Sequence, residues 1–249
     1  MKENNTKKLY NKNYLNWSRD KPICLSDFTA REKIFKLIGK LNNQLIADLG
    51  CGEGYASRIF ERKGAKKVYG IDISHKMIEL AKLKAKKKIL YKKASITKTQ
   101  LPNRLFDKTF AIFVFNYLKK KQMTKACKEI HRITKKGGLI YISVPHPFYP
   151  FLAKKNNTFY FKNFKGEDYL KKVDHVFKGF IKRFDNIKLP VYCTHHTLQD
   201  YFDCFKLAKL NKIKEIHELK VTKMHLKNNY KFFKSIKDLP LHLLFILEK

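Results

Sequence analysis

Three glycines at alternate positions follow a short apolar run and form the part of this chain best suited to hold a ligand. The run Leu45–Leu49 is interrupted only by Asp48, and Gly50, Gly52 and Gly54 come after it. A helical pattern of apolar residues begins directly after the glycines. Glycine lets the backbone turn sharply and approach a ligand closely, and a helix N-terminus offers free N–H groups. Strand, glycine loop and helix in this order predict the first turn of a nucleotide-binding α/β sheet.

A second acidic residue lies at the end of the next predicted strand. The short run Val68–Asp72 ends in Asp72, about 20 residues beyond the glycine loop, where a ribose-binding carboxylate is expected. A dinucleotide site has the spacing Gly-x-Gly-x-x-Gly, whereas here Gly54 comes one residue early and Tyr55 takes the place of the third glycine. The spacing therefore favours a nucleotide-type cofactor other than a dinucleotide. A glycine-rich turn with an aspartate nearby by chance is the alternative.

The pattern Asp48-x-Gly50-x-Gly52-x-Gly54 resembles the signature loop of class I S-adenosylmethionine-dependent methyltransferases of the small-molecule type. The resemblance extends over residues 10–147 and, more loosely, over 194–249. It implies an α/β fold with a doubly wound, seven-stranded, mostly parallel Rossmann-like sheet, an antiparallel last strand and a lid insertion. It also implies S-adenosyl-L-methionine as the cofactor.

The resemblance further implies a set of cofactor-binding residues in the first half of the chain. These are Tyr14, Arg31, Asp48, Gly50, Cys51, Gly52, Asp72, Ile73, Met77, Ser95, Ile96, Phe115, Asn116 and Tyr117. Tyr14 and Arg31 are candidates to contact the methionyl carboxylate, and a packing role is the alternative for Tyr14. Ser95 stands where the family usually has an acidic residue that accepts the adenine amino proton, and a hydroxyl can accept that bond too.

Two histidines are candidates for catalysis. His146 lies between two prolines that fix its backbone, and an imidazole that titrates near neutral pH can serve as a general base. The pattern Ser-x-x-His-Pro around it resembles a subgroup of small-molecule methyltransferases. His195 precedes a predicted helix and is the second candidate. A structural histidine is the alternative for His146, and a metal site that adds His196 is disfavoured because the spacing on one helix is wrong for it.

The elements that must position these residues predict one methyltransferase domain over residues 1–249. Its four segments are a cofactor-covering segment (1–40), a cofactor-binding core (41–147), a substrate lid insertion (148–193) and a C-terminal helix with a closing hairpin (194–249). We also predict a central strand, an amphipathic helix, antiparallel lid strands and an apolar last strand, over Phe110–Phe115, Met123–Thr134, Phe177–Phe184 and Leu241–Leu247.

The charge of the chain is unusual. Its 55 Lys and Arg residues against 21 Asp and Glu give a formal net charge of +34, which directs attention to nucleic acid or an anionic membrane. Lysine predominates and is spread along the chain, whereas specific recognition of phosphates and bases favours arginine. A biased genomic composition is therefore the favoured explanation, and nucleic-acid binding is the alternative that the charge keeps open.

The predicted function is methyl transfer from S-adenosyl-L-methionine to a small-molecule acceptor by in-line displacement. The alternatives are an RNA or protein methyltransferase that uses the basic surface, and a non-catalytic subunit that keeps the fold. Intact Gly50, Gly52 and Asp72 disfavour the last of these. No apolar run approaches the ~18 residues that span a bilayer, and the five cysteines are scattered without a Cys-x-x-Cys pair. We expect a cytoplasmic protein without a bound metal; the acceptor and the oligomeric state are not indicated.

Overall fold

The computed structural model describes residues 3–154, 157–161 and 168–249. Its strands, in chain order, are β1 (Leu45–Leu49), β2 (Lys67–Asp72), β3 (Ile89–Lys93), β4 (Phe106–Ile112), β5 (Thr134–Pro145), β6 (Phe159–Phe161), β7 (Val176–Lys182), β8 (Lys188–Thr194), β9 (Lys212–Leu219) and β10 (His242–Glu248). Its helices are α1 (Glu3–Trp17), α2 (Glu32–Leu37), α3 (Tyr55–Arg62), α4 (His75–Leu83), α5 (Lys120–Ile133), α6 (Tyr149–Leu152), α7 (Asp168–Lys171), α8 (Leu198–Leu207), α9 (Lys223–Asn228) and α10 (Tyr230–Phe233). A π-helical turn covers Asp27–Arg31, and 3₁₀ turns cover Phe115–Tyr117 and Lys234–Ile236.

A seven-stranded sheet in the order β3-β2-β1-β4-β5-β10-β9 organises the chain. The five strands from β3 to β5 are parallel, and β10 is antiparallel to both of its neighbours. The order reverses between β1 and β4, and ligands of doubly wound sheets bind in the crevice at that point. The fold class, the central position of the β4 segment and the antiparallel last strand are thereby confirmed.

Apolar side chains cover both faces of this sheet. On one face, the ring of Phe110 from β4 stacks at 4.3 Å on Phe60 of α3 and at 4.8 Å on Tyr141 of β5. On the other face, Phe205 of α8 packs edge-on against Phe245 of β10 at 5.3 Å. These rings bury large apolar areas, which stabilise the sheet and hold its carboxyl edge in place.

A second, antiparallel sheet in the order β6-β7-β8 lies in the segment predicted as a lid. The β7 strand falls where antiparallel strands were expected. Its inward side joins a cluster that includes Phe159, Phe161, Leu189 and Phe233. The predicted lid, 148–193, also contains residues 155–156 and 162–167, and residues 1–2 belong to the predicted covering segment; these lie outside the described residues. The four-segment division stays a prediction.

The bounds of two predicted elements differ from the structure by three residues or more at one end. The central strand ends at Ile112 rather than Phe115, because Phe113 has a left-handed backbone (φ 57°) that turns the chain out of the sheet. Helix α5 begins at Lys120, earlier than expected, and β5 follows it directly at Thr134. Among the residues that the structure describes, no helix is long and apolar enough to cross a membrane.

Candidate active site

A pocket lies at the carboxyl ends of β1, β2 and β4, where the strand order reverses. The glycine loop after β1 forms its floor. The backbone N–H groups of Gly50 and Cys51 both donate to the carbonyl of Ile71, at 2.7 and 3.0 Å, and pin the loop to β2. Gly50 and Gly52 have φ angles of 72° and 56°, which L-residues rarely adopt.

The two glycines differ in what surrounds them. A Cβ atom at Gly50 would lie 2.8 Å from Cβ of Val114, so this glycine is required by close packing. A Cβ atom at Gly52 would meet no described atom within 4 Å. The backbone at Gly52 therefore borders open space inside the pocket, and a ligand can approach its peptide group closely.

Asp72 fixes the loop from the neighbouring strand. Its Oδ2 accepts a hydrogen bond from the N–H of Gly52 at 2.9 Å, and its Oδ1 accepts one from the N–H of Ser74 at 2.8 Å. Burial raises the pKa of this carboxyl group, while these backbone bonds oppose the shift. Each oxygen keeps a further lone pair for a ligand hydroxyl.

Asp48 lies deeper under the same loop. Its Oδ2 accepts a hydrogen bond of 2.5 Å from the hydroxyl of Ser57, and the residue is only 2% exposed. Burial raises the pKa of Asp48 to about 6, since a desolvated carboxylate is costly. The carboxyl group is thus part of the buried framework of the loop as well as of the pocket wall.

Three arginines with largely buried side chains form a charged cluster on one side of the pocket. Asp27 bridges Arg19 and Arg31, with N–O distances of 3.1 and 3.2 Å, and Glu53 pairs with Arg58 at 2.8 Å. Three guanidinium groups therefore share two buried carboxylates, and Arg58 also lies 3.4 Å from the exposed Asp20. Because Arg19 and Arg31 line the pocket, its wall offers positive charge to an anionic group.

Helix α1 covers the pocket and is held at two points. The hydroxyl groups of Tyr10 and Tyr117 lie 2.6 Å apart. On the other side, the Ser74 hydroxyl donates to Oδ1 of Asn11 at 2.6 Å and accepts the N–H of Met77 at 3.1 Å as the N-cap of α4. The cover is thus bonded to the turns after both β2 and β4.

Beyond the glycine loop the pocket becomes apolar. Side chains from β6, β7 and β8 face it together with residues at the ends of β4 and β5. They are Phe113, Pro145, Phe159, Phe161, Ile181 and Val191. We call this part the apolar chamber. It is continuous with the space over the glycine loop, so two ligands can meet there.

Comparison with known proteins identifies the loop and the sheet. Residues 47–142 match the family model described as a methyltransferase domain. A demethylmenaquinone methyltransferase from Lactococcus lactis is 32% identical over 140 residues, which cover 53% of this chain and 54% of that protein. A ubiquinone biosynthesis O-methyltransferase from Pelagibacter ubique is 35% identical over 143 residues, which cover 55% of each protein. The matches thus span about half the length of these two relatives.

A solved S-adenosylmethionine-dependent methyltransferase from Mesorhizobium loti shares the fold, with a TM-score of 0.66 and 20% identity over 90% of this chain and 99% of that one. Residues 47–142 therefore match a methyltransferase domain, and the described sheet has the fold of class I methyltransferases. S-adenosylmethionine is the cofactor named for the Mesorhizobium loti structure. The pocket suits this group, since Gly52 borders open space and the buried Oδ1 of Asn116 has no hydrogen-bond partner among the described residues.

Most residues predicted to bind the cofactor line the pocket of the methyltransferase. The set brought together is Arg31, Asp48, Gly50, Cys51, Gly52, Asp72, Ile73, Met77, Ser95, Ile96, Asn116 and Tyr117. The Ser95 hydroxyl accepts the N–H of Thr97 at 3.2 Å and lies 2.9 Å from the Thr97 hydroxyl, so part of its hydrogen-bonding capacity is used locally. Tyr14 and Phe115 are not among the lining residues. Phe115 is fully buried in the core.

The two predicted catalytic histidines of the methyltransferase lie outside the pocket lining. Nδ1 of His146 accepts the N–H of Phe148 at 3.2 Å, so Nε2 carries the proton and donates to Glu218 at 3.0 Å. Nε2 of His195 lies 2.7 Å from the carbonyl oxygen of Tyr169. Burial lowers the pKa of both rings. Their catalytic roles stay predictions.

Sequence reasoning missed several lining residues of the methyltransferase, among them Tyr10, Arg19, Phe113 and His242. Tyr10 carried a signal, because it lies one helical turn before Tyr14 in the aromatic N-terminal segment. His242 carried a weaker one, as a lone polar residue in the apolar run Leu241–Leu247.

Proposed function

We propose that this methyltransferase transfers the methyl group of S-adenosyl-L-methionine to a small, largely apolar molecule. One observation carries the proposal: a single pocket joins the glycine loop to a chamber walled by Phe159, Phe161 and Val191. A wall of this kind gains free energy by burying apolar ligand surface, whereas a nucleic-acid backbone would leave it without a partner.

We propose which residues of the pocket wall contact each part of the cofactor. Asp72 accepts hydrogen bonds from the ribose hydroxyls, and the peptide groups at Gly50 and Gly52 approach the methionyl part. The guanidinium of Arg31, together with Arg19, binds the carboxylate. The adenine lies among Ile73, Met77, Ser95 and Ile96, and Asn116 supplies a hydrogen-bond acceptor beside it.

When bound, S-adenosyl-L-methionine supplies an electrophilic methyl group on a sulfonium. The work of the protein is then to align the two ligands and to exclude water. Tyr10 and Tyr117 suit both tasks, because their linked hydroxyls hold the cover closed and aromatic rings attract a cation. We assign no general base to the transfer: alignment promotes the in-line displacement, and the proton that a hydroxyl acceptor loses passes to water.

The names of the two relatives described above agree with an apolar acceptor. One is named for demethylmenaquinone and the other for ubiquinone biosynthesis. The alternative is methyl transfer to RNA or protein, which the formal net charge of +34 supports. We favour the small molecule because the chamber is walled by side chains from two sheets.

The test is a transfer assay with methyl-tritiated cofactor and two pools of acceptor. One pool is a metabolite extract that includes lipids, and the other is total RNA. Calorimetry first establishes that the protein binds S-adenosylhomocysteine. We expect label in the organic-extractable metabolites; label that stays with RNA, at moderate salt, would overturn the proposal.

A further inference from the structure

His242 is a buried histidine on the wall of the pocket. It begins β10, is 1% exposed, and borders the same space as the glycine loop. Its Nε2 lies 2.9 Å from the hydroxyl of Thr29. That hydroxyl donates its only proton to the carbonyl of Leu25 at 2.9 Å, so it must accept from His242. Nε2 therefore carries the proton of the ring.

The other ring nitrogen is left with an unused lone pair. Nδ1 of His242 is buried and has no hydrogen-bond partner among the described residues. Buried acceptors without a partner are rare because they lose their bonds to water. In a pocket wall, such an atom marks a place where a ligand donates a hydrogen bond.

The charges around His242 favour a neutral ligand group over a cationic one as the hydrogen-bond donor to Nδ1. Burial, the guanidinium of Arg31 and the ring of His146 together lower the pKa of His242 to about 3, so the ring stays neutral. Its other close neighbours are Phe113 and Phe159, at centroid distances of 4.9 and 6.4 Å. An ammonium group would be repelled by Arg31, whereas a neutral hydroxyl that gains negative character is favoured there.

We propose that Nδ1 of His242 accepts a hydrogen bond from the hydroxyl of the methyl acceptor, and that this acceptor is an apolar molecule with a phenol-type hydroxyl. The inference rests on the proposed function. The apolar chamber holds the body of the acceptor, and Thr29 sets the tautomer that leaves the Nδ1 lone pair of His242 without a partner among the described residues. His242 is thus a residue that determines specificity.

The test uses two probes that differ in one hydrogen atom replaced by a methyl group. The probes are 2-naphthol and 2-methoxynaphthalene, titrated by fluorescence into the full chain saturated with S-adenosylhomocysteine. We expect wild type to bind 2-naphthol five- to tenfold more tightly, as one hydrogen bond allows. Equal affinities, or no binding of 2-naphthol, would overturn the inference. Failure to bind S-adenosylhomocysteine would instead overturn the proposed function and the inference with it.

Variants isolate the ring nitrogen. In His242→Gln the side-chain amide still reaches Thr29, but the hydrogen-bond acceptor at the Nδ1 position is gone. We therefore expect 2-naphthol and 2-methoxynaphthalene to bind this variant with about equal affinity. S-adenosylhomocysteine should bind as before. His225→Gln is the matched control at another buried histidine, and it should keep the preference. A preference that survives His242→Gln contradicts the proposal.

A measurement on wild type covers the case in which His242→Gln does not fold. In ¹⁵N NMR spectra, His242 should show the Nε2–H tautomer, and 2-naphthol should shift the Nδ1 resonance whereas 2-methoxynaphthalene should not. An Nδ1–H tautomer, or equal shifts with both probes, counts against the inference.

Discussion

The hydroxyl groups of Tyr10 and Tyr117 lie 2.6 Å apart and join helix α1 to the turn after β4. Their rings also meet edge to face, at a centroid distance of 5.6 Å. Burial is the main cause that raises the pKa of Tyr10, and it raises that of Tyr117 to about 12, so the pair stays protonated at physiological pH. The cover over the pocket is therefore fastened by a neutral bond that neither salt nor pH near 7 will open.

Removal of this bond should loosen the cover. We expect Tyr10→Phe to weaken S-adenosylhomocysteine binding about fivefold, since a hydrogen bond contributes about 1 kcal/mol. Calorimetry gives the affinity, and amide hydrogen exchange over α1 should become faster in the free protein. Tyr230→Phe, at an exposed tyrosine, is the control. Unchanged exchange in α1 would argue against a fastening role.

Asp72 should matter for binding of the cofactor more than for the fold. We expect Asp72→Ala to weaken S-adenosylhomocysteine binding by about 1–3 kcal/mol, because hydrogen bonds to the ribose are lost. Asp238→Ala, at an exposed aspartate, should leave the affinity unchanged. Calorimetry on both variants checks this, and equal affinities for the two would remove Asp72 from the proposed site.

The open space at Gly52 gives a prediction with a matched control. Gly52 and Gly39 have φ angles of 56° and 60°, and a Cβ atom at either would meet no described atom within 4 Å. We expect both alanine variants to lose about 1 kcal/mol of unfolding free energy from backbone strain. Only Gly52→Ala should weaken S-adenosylhomocysteine binding, because its methyl group takes space over the loop. Urea titrations and calorimetry separate the two effects.

Asp48 should make stability depend on pH in an unusual direction. Its pKa of about 6 in the folded protein lies above the reference value of 3.8, because burial disfavours the charge. Its contribution to stability is then fully present below about pH 4 and is lost as pH rises through 6, by about 3 kcal/mol.

Asp48→Asn removes this titration and keeps an acceptor for Ser57. We expect its unfolding free energy to fall less than that of wild type between pH 4 and 7. Urea unfolding at several pH values measures the difference. Parallel curves for the two proteins would show that Asp48 is not the group responsible.

The parts of the site that depend on local backbone conformation were predictable from the sequence. Gly50 and Gly52 adopt left-handed angles that select glycine, and Asp72 ends a strand whose length fixes the spacing to the loop. Residue type and position are tied together there by local geometry. The same holds for the centre of the sheet, because β1, β4 and β10 are largely buried apolar runs that are visible in the sequence.

The parts of the site that depend on contacts between residues distant in sequence were not predictable from the sequence. The predicted Tyr14 and the observed Tyr10 differ because α1 is kinked at Asn13, which changes the phase of the helix between them. His242 reaches the pocket through the register of β10 opposite Pro145 and through Thr29, which lies 213 positions away in sequence. Neither relation leaves a local pattern.

Phe113 links these contacts at the cost of a strained backbone. Its ring lies 4.9 Å from that of His242 and 5.1 Å from the Arg31 guanidinium, while its φ of 57° is one that a bulky residue resists. Replacement by glycine would relieve the strain and remove the ring from between cation and imidazole. Because the ring also packs against a buried cluster, its loss costs more than the strain, and selection in a directed-evolution experiment should keep an aromatic residue at this position.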